Sequence, residues 1–156
     1  MIAPRRAQAD KLTATPVIGR VGSLRTPVAW GLVWGCLQAA SPLALFWLDD
    51  ATVYAFGLTL IAAIYIGFAV ADGRRHVLVA EVAVASVFVV VAAAAATGAL
   101  WLIVVGLVGH GVKDLWQHRT GFVAGTRWWP PFCATVDFVA AALIAVAITA
   151  GVPLLS

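Results

Sequence analysis

The sequence predicts an all-α integral membrane bundle of five transmembrane helices, and three observations carry that prediction. Hydrophobic residues make up 63% of the 156, charged residues only 11%, and the mean hydropathy is +0.99. A soluble domain of that composition would show water mostly apolar surface, so the bilayer is the solvent that fits. Apolar runs near the roughly 20 residues needed to cross a core about 30 Å thick alternate with short polar breaks. Finally, all ten Lys and Arg residues fall in three clusters that five crossings place on one face: Arg5, Arg6, Lys11, Arg20 and Arg25; Arg74 and Arg75; Lys113, Arg119 and Arg127.

Residues 1–26 lack periodic hydrophobicity and carry Pro4, Pro16 and scattered charges, which reads as a cytoplasmic basic tail. The transmembrane domain occupies residues 27–156. Its first span runs over about 28–48. Residues 38–40 weakly resemble a signal-peptide cleavage site, but the apolar run continues past them, so the reading is an uncleaved helix. Ser41-Pro42 predicts a kink in its outer half. Asp49-Asp50 makes a short turn, and an uncharged second span follows over about 51–71. Residues 72–76 turn back into a third span over about 77–96, whose Ala92–Ala96 patch suits close helix contact. A tight turn at Thr97-Gly98 leads to a fourth span over about 99–118. A polar loop precedes the fifth, about 131–152, which opens after Trp128-Trp129 on paired prolines whose missing N–H groups are harmless there.

Five spans put the termini on opposite sides. The breaks at 49–50 and 97–98 hold no Lys or Arg, and the positive-inside rule then puts the tail in the cytoplasm and Ser156 outside. The expected location is a bacterial inner membrane, since abundant Ala, Val and Gly suit a high-GC bacterium. Lys113 reaches the same face by snorkelling. Trp116, Trp128 and Trp129 fit an inner aromatic belt, and Trp47 and Trp101 an outer one. The net charge of +3 reads as attraction to anionic headgroups, not nucleic acid. Cys36 and Cys133 lie in different spans at different depths, where a disulfide is not expected and metal-type Cys spacing is absent.

The fourth span carries the chemistry. Its purely apolar stretch is too short to cross, so the helix must continue through His118 and pull His110 and Asp114 below the surface. At 1.5 Å per residue Asp114 lies about 6 Å and His110 about 12 Å inside. Glu81, about 6 Å in, and Asp137, about 7 to 8 Å in, reach similar depth from the neighbouring spans. Ionisable groups there need partners or water, so all four are expected to converge. His110, Asp114 and His118 step by four along one stripe and are candidate metal ligands. His110 and His118 are about 12 Å apart along the axis, so one ion takes an adjacent pair only. Zinc and iron are the candidate metals. Asp114, Asp137 and Glu81 are the candidate catalytic carboxylates, with Arg127, Trp128 and Trp129 at the pocket mouth. The same groups are read first as structural polar links between helices, then as a metal or acid–base site, and last as a proton or ligand pathway. The sequence has no metalloprotease HExxH, no GxSxG, no phosphate-binding glycine loop and no CxxCH.

The stretches GHGVKDLWQHR (109–119) and TRWWPPFCATVD (126–137) resemble a small family of uncharacterised bacterial multi-pass membrane proteins. The resemblance implies that His110, Asp114, His118, Arg127 and Asp137 act as one constellation, and it supplies no substrate. A His/Asp site near the membrane face is also similar to membrane hydrolases of the alkaline ceramidase type, which have more helices and more histidines. Two functional classes are expected. One is a metal-dependent or acid–base site acting on a lipid-like substrate. The other is a non-catalytic subunit or stabiliser of a larger membrane complex, with a protein partner or a second copy of the chain.

Overall fold

The computed structural model describes residues 24–151. The tail assigned to 1–26 therefore lies outside the described residues except for its last three, as does the end of the last span. The described residues form six helices and no strand: α1 (Arg25–Ala39), α2 (Ser41–Ala44), α3 (Asp50–Asp72), α4 (Arg75–Ala96), α5 (Trp101–Thr120) and α6 (Trp129–Thr149). The chain is all-α. Three of these helices, α3, α4 and α6, are long and apolar enough to cross a membrane. The α5 helix has 20 residues but carries Lys113 and Asp114 in its second half. The first span does not run unbroken over 28–48.

That break has a local cause. Pro42 has no N–H to give the Gln38 carbonyl, so the helix cannot continue through it. Ser41 Oγ donates to that carbonyl instead at 2.7 Å. The Tyr54 hydroxyl, from α3, donates to the carbonyl of Ala39 at 2.7 Å. The kink foreseen at Ser41-Pro42 is thus a full interruption, satisfied from both sides. The next helix starts cleanly because the Asp49 carboxylate accepts from Thr52 N–H at 2.8 Å, a capping bond that holds this acid below its ordinary pKa. It ends at Gly73, which takes a left-handed φ of 79° that a residue with a Cβ resists. Two residues later α4 begins. The α6 helix starts two residues before the expected boundary, with Pro130 and Pro131 in its first turn.

Two antiparallel hairpins, α3–α4 and α5–α6, pack on each other, and α1 lies along α6. Gly31 faces Phe132 and Thr135, and Gly35 faces Val136 and Val139. Numbers rise together along the two helices, so α1 and α6 run parallel. Tyr54, Leu58, Ala92, Ala95, Ile103, Leu107, Ala140 and Ile144 form the main core. Tyr65, Ala69, Val77 and Val123 form a second cluster near the other end. There, Asp72 ties two loops together: it accepts from Ala124 N–H at 2.7 Å and pairs with Arg74. Arg74 also donates to the Phe122 carbonyl at 2.7 Å. The α3–α4 turn and the α5–α6 loop, both basic, therefore share one end of the bundle with the start of α1.

Candidate metal centre

The second half of α5 presents two faces. His110 and Asp114, one turn apart, lie on one stripe. Lys113 and Gln117, also one turn apart, lie on the adjoining stripe. Gly111 lets α6 approach here, because a Cβ at that position would sit 3.0 Å from the Phe138 ring and 3.3 Å from Asp137 Cβ. That approach brings Asp137 to His110: Nδ1 and Oδ2 are 2.8 Å apart. Asp114 Oδ2 stands 3.5 Å from the same nitrogen. One donor atom from each of His110, Asp114 and Asp137 falls within 4.8 Å of the others, and all three side chains have 0% exposure. Phe88 of α4 meets the imidazole edge-on, ring centroids 5.0 Å apart, and Tyr65 of α3 closes another side at 6.1 Å.

The hydrogen bonds of this group are incomplete. His110 Nε2, both Asp114 oxygens, Asp137 Oδ1 and the Tyr65 hydroxyl are buried without a partner. Each such atom costs about 1–3 kcal/mol when nothing satisfies it. Were both carboxylates ionised beside a neutral imidazole, the group would carry a formal charge of −2, which a divalent cation would offset. The two separations from His110 Nδ1 are near those of one ion's ligands. Ligands about 2.0–2.1 Å from a tetrahedral ion stand about 3.3 Å apart. The His110–Asp114 separation of 3.5 Å matches that, while the His110–Asp137 separation is that of a hydrogen bond and would open by about half an ångström. One nitrogen and two carboxylate oxygens form a donor set suited to zinc, iron or manganese, with a fourth position free for water or substrate.

Glu81 is placed elsewhere. One of its oxygens stands 2.8 Å from Lys113 Nζ, and the other accepts from Gln117 Nε2. Lys113 Nζ also lies 3.6 Å above the Tyr65 ring centroid, a cation–π contact. The lysine expected to snorkel outward therefore turns inward, because a buried carboxylate on α4 offers it a better partner than the headgroup zone. His118 is exposed, near the end of α5, outside the three-residue group. Its axial distance from His110 and the angular drift of an eight-residue step account for that. Arg127 is exposed in the loop before α6. Trp128 and Trp129 line an apolar cleft between α1, α3 and α6, not the polar group. Cys36 is exposed, Cys133 is buried, and both are free thiols.

The sequence reading assigned no role to Gln117, Tyr65 or Phe88, nor to Gly31 and Gly35. Two of these had a readable signal: Lys113 and Gln117 are four apart facing the Glu81 helix, and Gly31-x3-Gly35 is a small-residue packing motif. All four carboxylate and imidazole groups lie farther from their helix ends than first estimated. Helix α5 runs on to Thr120 and α6 starts at Trp129, which puts His110 about 15 Å, Asp137 about 12 Å and Asp114 about 9 Å from their helix ends. No family model, no curated protein and no solved structure matches this chain.

Proposed function

We propose that this chain is an integral membrane protein whose His110–Asp114–Asp137 group binds one divalent metal ion, zinc or iron, for acid–base or hydrolytic chemistry on a lipid-like amphiphile. The single observation that carries the reading is three buried donor side chains converging within 4.8 Å while four of their own polar atoms lack partners. A metal held there would polarise a carbonyl or phosphoryl oxygen, or acidify a bound water. The carboxylate left over from coordination would accept the proton.

The membrane part of the proposal has five crossings, made by α1 with α2 and by α3, α4, α5 and α6. The N-terminus is cytoplasmic and Ser156 outside, in a bacterial inner membrane. Outward-facing Val79, Val87 and Val90 on α4, each more than 60% exposed, support lipid as the surrounding solvent. The gathering of Arg25, Arg74, Arg75, Arg119 and Arg127 at one end supports the orientation. Membership of the multi-pass bacterial family resembled by residues 109–119 and 126–137 belongs to the same proposal.

A second reading has its own observation. The 2.8 Å His110–Asp137 contact is a good interhelical hydrogen bond, and a protein that used it only to tie α5 to α6 would be a non-catalytic subunit of a larger complex. Metal analysis of the purified chain separates the two. The metal reading expects close to one zinc or iron per chain, lost in His110→Ala and in Asp114→Asn. A metal-free wild type with a fixed co-purifying partner favours the tie. Topology is checked with Ser156→Cys in a Cys36→Ala background: labelling from the cytoplasmic side alone would overturn the orientation.

A further inference from the structure

A second site lies beside the metal centre. A cleft of about 430 Å³ opens between α1, α3 and α6, within the size range of small-molecule sites. Its walls are almost wholly apolar: Trp30 and Trp34 on α1, Ile61 and Ile64 on α3, Phe132 and Cys133 on α6. One end is lined by Gln38, whose amide lies against the backbone of Gly57. From Trp30 to Gln38 the cleft is about 12 Å long, most of one leaflet's share of a core about 30 Å thick. The other end reaches Trp128 and Trp129 at the start of α6, the end of the bundle that also gathers Arg25 and Arg127.

We infer that this cleft seats one acyl chain of an anionic lipid drawn from the leaflet at the basic end of the bundle. A cleft this long and this apolar fits the headgroup-proximal part of a single hydrocarbon chain entering from one leaflet and running toward Gln38. Arg25 and Arg127 select a negative headgroup at its mouth, and the indoles of Trp128 and Trp129 sit at headgroup level, where such rings prefer to lie. Cys133, which lines the cleft, stands one helical turn before Asp137 on the same face of α6 and is thus one turn from a member of the metal centre. As the seat of the substrate's tail, the cleft deepens the lipid reading of the metal site and rests on it. As a lipid-binding site it is testable alone.

The test uses the full chain purified in detergent, with dioleoylphosphatidylglycerol or dioleoylphosphatidylcholine added and bound lipid read by native mass spectrometry. The expected result is one phosphatidylglycerol per chain, favoured about tenfold over phosphatidylcholine, as two basic residues near a headgroup allow. Ile64→Trp, which fills the cleft, should abolish the adduct while leaving the metal content unchanged. Val105→Trp, on the exposed face of α5, should abolish neither. Arg127→Ala should weaken the preference for phosphatidylglycerol. Should Ile64→Trp fail to fold, Trp34→Ala, which removes part of the cleft wall, replaces it and should weaken the phosphatidylglycerol adduct with the metal content unchanged. Equal binding of both lipids, an adduct that survives Ile64→Trp or is unchanged in Trp34→Ala, or a lipid-independent dimer disrupted by Ile64→Trp would each overturn the proposal. A lipid adduct as expected on a chain without metal keeps the cleft and removes the metal reading.

Discussion

Two buried polar groups share the second half of α5 and differ in how completely they are satisfied. In the Glu81–Lys113–Gln117 group, each carboxylate oxygen has a donor and the lysine is shared with an aromatic face. In the His110–Asp114–Asp137 group, one hydrogen bond serves three ionisable side chains. The first is electrically balanced; the second holds two carboxylates against one imidazole. In the first group only Gln117 Oε1 is buried without a partner, whereas the second leaves four such atoms. The first group ties α4 to α5. The second is the one in which the proposed metal would find unsatisfied donor atoms.

Breaking the balanced group should give the largest loss of stability. Lys113→Met leaves Glu81 buried beside Gln117 alone, at an expected cost of about 3–5 kcal/mol, read from denaturant unfolding in detergent. Metal content should stay near one per chain wherever the variant folds, and Lys113→Met with Glu81→Leu should recover most of the loss. Next comes a packing control away from both groups. At Gly31 a Cβ would stand 2.6 Å from Thr135 Cβ and 2.8 Å from the Phe132 carbonyl oxygen. Gly31→Val should therefore cost about 1–3 kcal/mol by pushing α1 off α6, again with metal retained.

The unbalanced group should respond in the opposite sense. Asp114→Leu removes a carboxylate with no hydrogen bond, so the metal-free chain should change by less than about 1 kcal/mol or gain stability. What the variant loses is the rise in unfolding midpoint that added zinc gives the wild type. Because the ligands must be deprotonated to bind, that zinc-dependent rise should shrink as the pH falls. Smallest of all is Asp49→Ala, which removes the cap of α3 at an exposed site. Its folded-state pKa is depressed, so the capping contribution is present at neutral pH and is lost below about pH 4. A wild-type-minus-variant difference in melting temperature that persists well below that pH would break the assignment.

Much of the α-helical layout could be read from the chain, because apolar length and paired turn residues are local signals. The length deficit of the fourth span already forced His110 and Asp114 inward, and the start of the fifth brought Asp137 to a matching depth. What could not be read was which stripe each group faces. Glu81 is buried against α5 as expected, but the choice between His110 and Lys113 as its partner depends on the rotation of α4 about its axis. His118 shares a four-residue step with Asp114, yet a helix end carries it to the surface. The interruption at Pro42 was visible as a kink, while its extent depended on the Tyr54 hydroxyl, a long-range contact. The apolar cleft is assembled from three helices and leaves no mark in any one of them.

The most direct measurement of the central claim is X-ray absorption at the metal edge of the purified, zinc- or iron-loaded chain. The proposed centre predicts a first shell of one imidazole nitrogen and carboxylate oxygens at about 2.0–2.2 Å, with no sulfur at about 2.3 Å, and its collapse in Asp137→Asn. A sulfur shell, which would implicate Cys133 or Cys36, or a metal spectrum unchanged by Asp137→Asn, would contradict it.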